Sequence, residues 1–415
     1  MNNFQKVFKN TFFLTLSEIF LKIIGFLWVI FLARSLSVSE YGRYNLVNSL
    51  MAVFSFLPDL GVGLIVIREI AKDRKEAEKF VSNSLILRFF LSLLTVMAVL
   101  VVSLVLGYKG ELMTLIAIAS FTLFISNLRS VPICFFEGLE RMEITAFLNS
   151  ANSLLLLLFA LMIFLLGFGL KGIFLGMSLG TLLSLFLTWM IFFKFNILKK
   201  IIFNLKTLKF LVSEGLPLGL AAFAYLIYTN IDSVVLSRIL GEYEVGIYNS
   251  ATPFIISFVQ IFNVPFMAAI YPALSRIYSL DNPKRFSKAI KKSLLLIVSW
   301  SFPLAIIFHF LSPIFIPLVF GIKYQSAIPV LKLLIFFVPF ASISALLYKV
   351  LMVVGKQKIY LVVSLLGAFV NIFLNLLLIP KFLIYGAALA SVFTQIILFL
   401  IYFALTFKYI FVFEK

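Results

Sequence analysis

The chain has 415 residues, of which 63% are hydrophobic and 13% charged, and its mean hydropathy is +1.13. Soluble globular proteins carry about 25% charged residues, so a water-soluble enzyme of this size is excluded and a polytopic membrane protein remains. The formal charge is +18, from 35 Lys and Arg against 17 Asp and Glu, while the single Cys134 and single His309 exclude a disulfide framework and a thiol- or histidine-built metal centre.

A hydrocarbon core takes about 20 apolar residues per helix. Interruptions by charge, Gly and Pro predict twelve spans, the first six at about 10–33, 44–66, 84–106, 112–136, 144–167 and 170–193. The second six fall at about 210–236, 246–274, 293–320, 327–354, 359–380 and 382–407. The first run is too long for the apolar region of a cleaved signal and reads as a retained span. Segments of this length are too long for barrel strands, and only helices satisfy their own backbone groups in lipid. The fold class is all-α, in two six-helix lobes divided as residues 1–200 and 201–415.

Orientation follows from Lys and Arg in alternate loops. One side carries 23, including Lys6, Lys72, Lys200, Lys288 and Lys415, and the other carries 7, including Arg34, Lys109, Arg238 and Lys323. This bias predicts a multi-pass protein of the cytoplasmic membrane with both termini inside. The basic excess is therefore a topology signal with attraction to anionic lipid, and it implies no nucleic-acid partner. The outer loops are too short for a catalytic domain. The longest inner loops, near Arg68–Asn83, Lys194–Lys209 and Ser275–Lys292, read as solvated connectors anchored by charge.

One internal repeat is evident. Leu32–Asn45 (LARSLSVSEYGRYN) and Leu236–Asn249 (LSRILGEYEVGIYN) match at seven of fourteen positions, Arg34/Arg238, Gly42/Gly246, Tyr44/Tyr248 and Asn45/Asn249 among them. The copies follow the first and seventh predicted spans. An even offset of six helices gives both halves the same orientation, the parallel repeat that transporters use around a central site.

Nine ionisable groups besides His309 fall inside predicted spans: Glu18, Lys22, Asp59, Arg88, Arg129, Glu214, Asp232, Lys332 and Lys349. Each costs at least about 2.5–3.5 kcal/mol at a helix centre unless it faces protein or water. Arg88 and Lys349 lie near predicted span ends, where snorkelling suffices. Glu18 and Lys22 are spaced to pair at i,i+4. Asp59, between Pro58 and Gly61, marks a broken or bent helix lining a cavity. Arg129 and Lys332 have no acid nearby in sequence, so these two, joined by Lys22, are the expected contacts for an anionic passenger. His309, between Phe308 and Phe310, reads as a capped or cavity-edge histidine rather than a proton relay. Asn371 and Asn375 share one face of the eleventh span. They are suited to a hard cation, or to bonding between helices.

The opening KNTFFLTLSEIFLKIIGFLWVIFLARSLSVSEYGRY, the following DLGVGLIVIREIAK, TNIDSVVLSRILGEYEVGIYNSA and the tail VNIFLNLLLIPKFLIYGAALAS resemble the Wzx-type oligosaccharide flippases. These belong to the multidrug/oligosaccharidyl-lipid/polysaccharide exporter superfamily. The resemblance covers essentially the whole chain. It implies two six-helix lobes forming a V that move a polyprenyl- or dolichyl-phosphate-linked oligosaccharide between leaflets by alternating access, for cell-surface glycan assembly. Its partners would be that lipid-linked glycan and membrane lipids, the protein acting as a monomer beside glycan-assembly enzymes. By resemblance to the related lipid II flippases, Asp232 corresponds to the acidic ligand of a sodium site and Asn371 to its asparagine. Asn375 stands where that pattern prefers Asp, and Ser391 where it has Thr. Coupling to Na⁺ or H⁺ is thus implied, with no organic cofactor and no resident metal.

The competing reading is a cation-coupled multidrug or metabolite exporter of the same superfamily. It calls for an acidic cavity, whereas five of the nine ionisable groups in the predicted spans are basic. A membrane glycosyltransferase would need paired carboxylates on a sizeable outer loop, and none is present, so the chain is expected not to be an enzyme.

Overall fold

The computed structural model describes residues 21–280 and 282–411. Glu18, at the start of the predicted Glu18–Lys22 pair, lies outside them. All regular structure among the described residues is helical. Helix α1 covers residues 21–35, followed by α2 (Val38–Phe54), α3 (Val62–Lys72), α4 (Ala77–Val105), α5 (Gly110–Gly138), α6 (Met142–Ile163) and α7 (Gly169–Phe193). The second half contributes α8 (Leu205–Ile239), α9 (Glu242–Phe258), α10 (Val264–Tyr278), α11 (Pro283–Phe320), α12 (Ile328–Leu334), α13 (Phe337–Val353), α14 (Ile359–Phe382) and α15 (Ile384–Thr406).

Eight of the described helices are long and apolar enough to cross a membrane, or nine if Ile322–Leu334 and Phe337–Val353, bent by 41°, form one span. The sequence divides the same stretch more finely, and two features account for much of the difference. The 52-residue run Met142–Phe193 would be about 78 Å long as one straight helix, over twice a hydrocarbon core. It folds instead into a hairpin, turning at Gly167 (φ 90°), with Gly180 so close to α6 that a Cβ there would lie 2.6 Å from the Leu155 carbonyl carbon. Small residues permit such close helix approach in lipid. The predicted second span is cut: α2 ends at Phe54 and α3 begins at Val62, with Leu60 (φ 45°) and Gly61 (φ 76°) in left-handed backbone between them. Pro58, Asp59 and Gly61 thus mark a real break.

The chain divides into two compact units. The first contains residues up to Leu32 and Val47–Phe223, and the second Ala33–Leu46 and Ala224 onward, so the division falls within α8. Each unit has its own core. Ile70, Phe135, Phe136 and Phe192 are fully buried in the first, and Ile290, Ile297, Leu346 and Val350 in the second. Large apolar side chains such as Phe90, Leu165, Phe186, Leu295 and Phe369 are exposed, which water would not tolerate on this scale and lipid requires.

The basic connectors after α3 and α7 are tied rather than loose. Glu78 accepts from the backbone N–H groups of Lys199 (2.8 Å) and Lys200 (3.0 Å), and Asn83 donates to the Ile202 carbonyl and accepts from Asn204 N–H.

Candidate functional site

In the second unit, α8, α9, α14 and α15 converge on one carboxylate. Asp232 Oδ2 accepts from the Ser391 hydroxyl at 2.5 Å and the Tyr248 hydroxyl at 2.7 Å, and Oδ1 accepts from Asn375 Nδ2 at 2.6 Å. Asn375 Nδ2 also donates to the Asn371 carbonyl (2.9 Å) and Oδ1 (3.1 Å), as the i,i+4 spacing on α14 allows. All five residues are buried. The structure therefore brings together Asp232, Asn371, Asn375 and Ser391. It adds Tyr248, whose signal in the sequence was its place in the internal repeat. Two polar atoms remain without partners, Asn375 Oδ1 and Asn371 Nδ2, and a buried unmet polar atom is costly.

Asp232, Tyr248 and Ser391 form part of the wall of a cavity of about 850 Å³ whose lining residues all belong to this unit. Tyr225, Tyr228, Tyr271, Tyr348, Tyr360 and Tyr402 also line it. Tyr228 donates to Gln395 Oε1, and Gln395 Nε2 donates to Ser344 Oγ at 3.0 Å. Lys349, read from sequence as a snorkelling residue, lines the same cavity. Its Nζ lies 5.2 Å from the centre of the Tyr271 ring and 5.8 Å from that of Tyr348. The α13 helix thus sets it against two aromatic rings.

Arg88 departs from its sequence reading in the same way. It is buried and donates to Asp59 Oδ1 and to Ser130 Oγ, with Cys134 Sγ 3.7 Å away. Its partner sits in the break between α2 and α3, where Asp59 Oδ1 also accepts from Gly63 N–H at 3.1 Å. Gly63 leaves room for this pair, since a Cβ there would fall 2.6 Å from Arg88 Nη2.

The three cations expected to meet an anion are dispersed. Arg129, on α5 of the first unit, donates to Asn149 Oδ1 at 3.1 Å, and its Nε and Nη1 are buried without partners. Lys332 is half-buried on α12 and does not line the cavity of the second unit; Lys22 is exposed on α1. His309 Nδ1 lies 3.0 Å from the Lys332 carbonyl oxygen and donates to it in the Nδ1–H tautomer, a capping role that ties α11 to α12. Among the described residues no three or more His, Cys, Asp or Glu side chains gather as a metal site.

Long apolar helices with buried polar groups, and a large cavity in the second unit, define a multi-pass membrane protein. Residues 7–278 match the family described as polysaccharide biosynthesis protein, and residues 217–377 match the MatE family. The chain belongs to the polysaccharide biosynthesis protein family. It is 22% identical over 397 residues to the capsular polysaccharide biosynthesis protein CapF of Staphylococcus aureus, a match taking in 95% of this chain and 98% of that one. A match to an uncharacterized membrane protein of Methanocaldococcus jannaschii, 28% identical over 200 residues, takes in 48% of this chain and 39% of the relative. Among solved structures, an inward-facing MATE multidrug transporter superposes with a TM-score of 0.78 at 18% identity over 95% of each chain. The lipid II flippase MurJ, in an inward closed conformation, superposes with a TM-score of 0.76 at 18% identity over 95% of this chain and 87% of that one.

Proposed function

We propose that this protein is a flippase that carries a polyprenyl- or dolichyl-phosphate-linked oligosaccharide across the cytoplasmic membrane by alternating access, with both termini inside. The observation that carries this reading is the family match over residues 7–278. The cavity of the second unit supports it. Tyrosine rings offer flat apolar faces with polar tips, and amides and hydroxyls offer hydrogen bonds, the combination a glycan requires. Arg129, Lys332 and Lys22 lie outside that cavity and are proposed as phosphate contacts elsewhere along the passenger's path, Arg through its planar fork and Lys as a point charge.

Coupling to Na⁺ or H⁺ is part of the proposal. The donors around Asp232 are oxygen-rich, as a hard cation prefers, and turning over the Asn375 amide would replace Nδ2 by the unmet Oδ1 beside the carboxylate. Asp232, Asn371, Asn375 and Ser391 would hold the ion, whose role is to bias one conformation over another through different affinities.

The test is a reconstituted flipping assay with a lipid-diphosphate-linked sugar in vesicles. Protected-to-accessible transfer of the labelled sugar that depends on the protein supports the reading. Efflux of cationic drugs with no flipping of the lipid-linked sugar would replace it with the exporter alternative.

A further inference from the structure

The α9–α10 span passes through five π-helical residues, Val259–Asn263. On a regular helix Tyr248 and Tyr271, 23 positions apart, would differ in direction by about 140°. A π turn takes in one extra residue and removes about 100° of that difference. Tyr248, Thr252, Val259, Asn263, Met267 and Tyr271 consequently all line one cavity. Asn263 closes the π turn. It is buried, and its Oδ1 has no hydrogen-bond partner, a cost that a ligand donor would remove.

Helix α13 packs against the π turn and α10 and brings Lys349 to the same cavity. Tyr271 and Tyr348 hold the ammonium by their ring faces. No described carboxylate pairs with it. Asp232, the other charged residue of the lining, already accepts from Tyr248, Ser391 and Asn375. The cavity thus presents a cation without a counter-ion and, two helical turns from Tyr271, an acceptor without a donor. Eight residues of helix separate Asn263 from Tyr271, about 12 Å, the reach of a phosphate with one or two sugar rings. The Tyr348 and Tyr360 rings, 4.5 Å apart, supply apolar faces beside the cation.

We propose that this cavity is a sugar-phosphate subsite in which Lys349 takes the phosphate and Asn263 Oδ1 accepts from a hydroxyl or acetamido N–H of the sugar. The proposal rests on the flippase reading and assigns it a specificity-determining residue. The ligand is a glycan phosphate, and the lipid-borne and free forms share this chemistry.

Equilibrium binding to the purified full chain tests it, with farnesyl-diphospho-N-acetylglucosamine, farnesyl diphosphate and free N-acetylglucosamine 1-phosphate as probes. Lys349→Gln should weaken both phosphate-bearing sugars and farnesyl diphosphate by about tenfold or more, and Lys349→Arg should restore most of it. Asn263→Leu should weaken the two sugar probes severalfold and leave farnesyl diphosphate unchanged. Stronger binding of the farnesyl sugar than of the free sugar phosphate identifies the lipid-borne source, and equal binding the free one. No binding of any probe by the wild type, wild-type affinities in Lys349→Gln, or equal weakening of all three probes in Asn263→Leu would overturn the subsite. Wild-type flipping by both variants would also overturn it while leaving the flippase reading intact. Specific binding without flipping by the wild type would do the reverse. Unchanged melting temperatures establish that each variant is folded.

Discussion

Gly42 and Gly246, equivalent positions in the two copies of the internal repeat, pack backbone against backbone. A Cβ on Gly42 would lie 2.9 Å from the Gly246 amide nitrogen and would run into the Glu242 carbonyl, and one on Gly246 would run into the Val38 carbonyl. The copies are clasped further by the Arg43–Glu242 ion pair at 2.9 Å. Asn45 and Asn249 play matching parts, each donating to a carbonyl one turn earlier on its own helix, at 2.8 and 3.0 Å. The repeat therefore records a self-complementary contact as well as an ancestry of the fold.

Gly42→Ala and Gly246→Ala should each destabilise the protein by about 1–3 kcal/mol, the cost of overpacking a contact with no room to give. Gly25, with nothing within 4 Å of an added Cβ, is the control: Gly25→Ala should be neutral or stabilising, as Ala favours helix. Thermal unfolding in detergent reads all three. Equal melting temperatures for Gly42→Ala and Gly25→Ala would show that the clasp tolerates a methyl group.

The Asp59–Arg88 pair should respond unequally to removal of its two partners. The Arg88 side chain is 3% exposed and that of Asp59 35%, and Arg88 Nε already lacks a partner. Asp59→Asn leaves a buried, uncompensated guanidinium and should cost about 3 kcal/mol or more. Arg88→Met leaves a carboxylate that is only partly buried and should cost less, about 1–2 kcal/mol. Melting curves of both variants check the order, and the reverse order would mean that Asp59 carries the desolvated charge.

How much of this was readable in advance depends on how far each contact lies along the chain. The all-helical membrane class follows from composition, and the break at Pro58–Gly61 from local residue types. Asn371 and Asn375 share a face by spacing alone. Arg88 finds Asp59 across 29 positions, and Lys349 finds Tyr271 on another helix, so local pattern offered only proximity to a span end and suggested snorkelling for both. The π turn that brings Asn263 into the cavity wall has no counterpart in hydropathy. Tyr248 was legible as a repeated residue, but its bond to Asp232 depends on how α8 and α9 pack.

The charge bias of alternate loops predicts where four lysines lie. Single cysteines at Lys200 and Lys288, in a Cys134→Ala background, should react with an impermeant maleimide only after the membrane is opened, and those at Lys109 and Lys323 in intact cells. Labelling of positions 200 and 323 from the same side would overturn the twelve-span arrangement.

The buried carboxylate offers the sharpest test of coupling. Three donors converge on Asp232, which stabilises its charge, yet Asn375 approaches through its nitrogen and leaves Oδ1 unmet. If Na⁺ binds here, the Asn375 amide turns over, the ion neutralises the carboxylate, and the unmet acceptor gains a ligand. Ligand binding to the folded state raises stability by RT ln(1 + [L]/Kd), about 2.7 kcal/mol at a hundredfold excess over Kd. Sodium, titrated against constant ionic strength with choline as replacement, should therefore raise the wild-type melting temperature and leave Asp232→Asn unmoved. Asn375→Asp restores the acid that the related sodium-site pattern prefers and should strengthen the sodium response. A wild type indifferent to sodium, but with transport that changes with pH and loses that change in Asp232→Asn, would assign the carboxylate to protons. Indifference to both would leave Asp232 as the residue that pins α8 to α9, α14 and α15, and the ion-coupling proposal would fail.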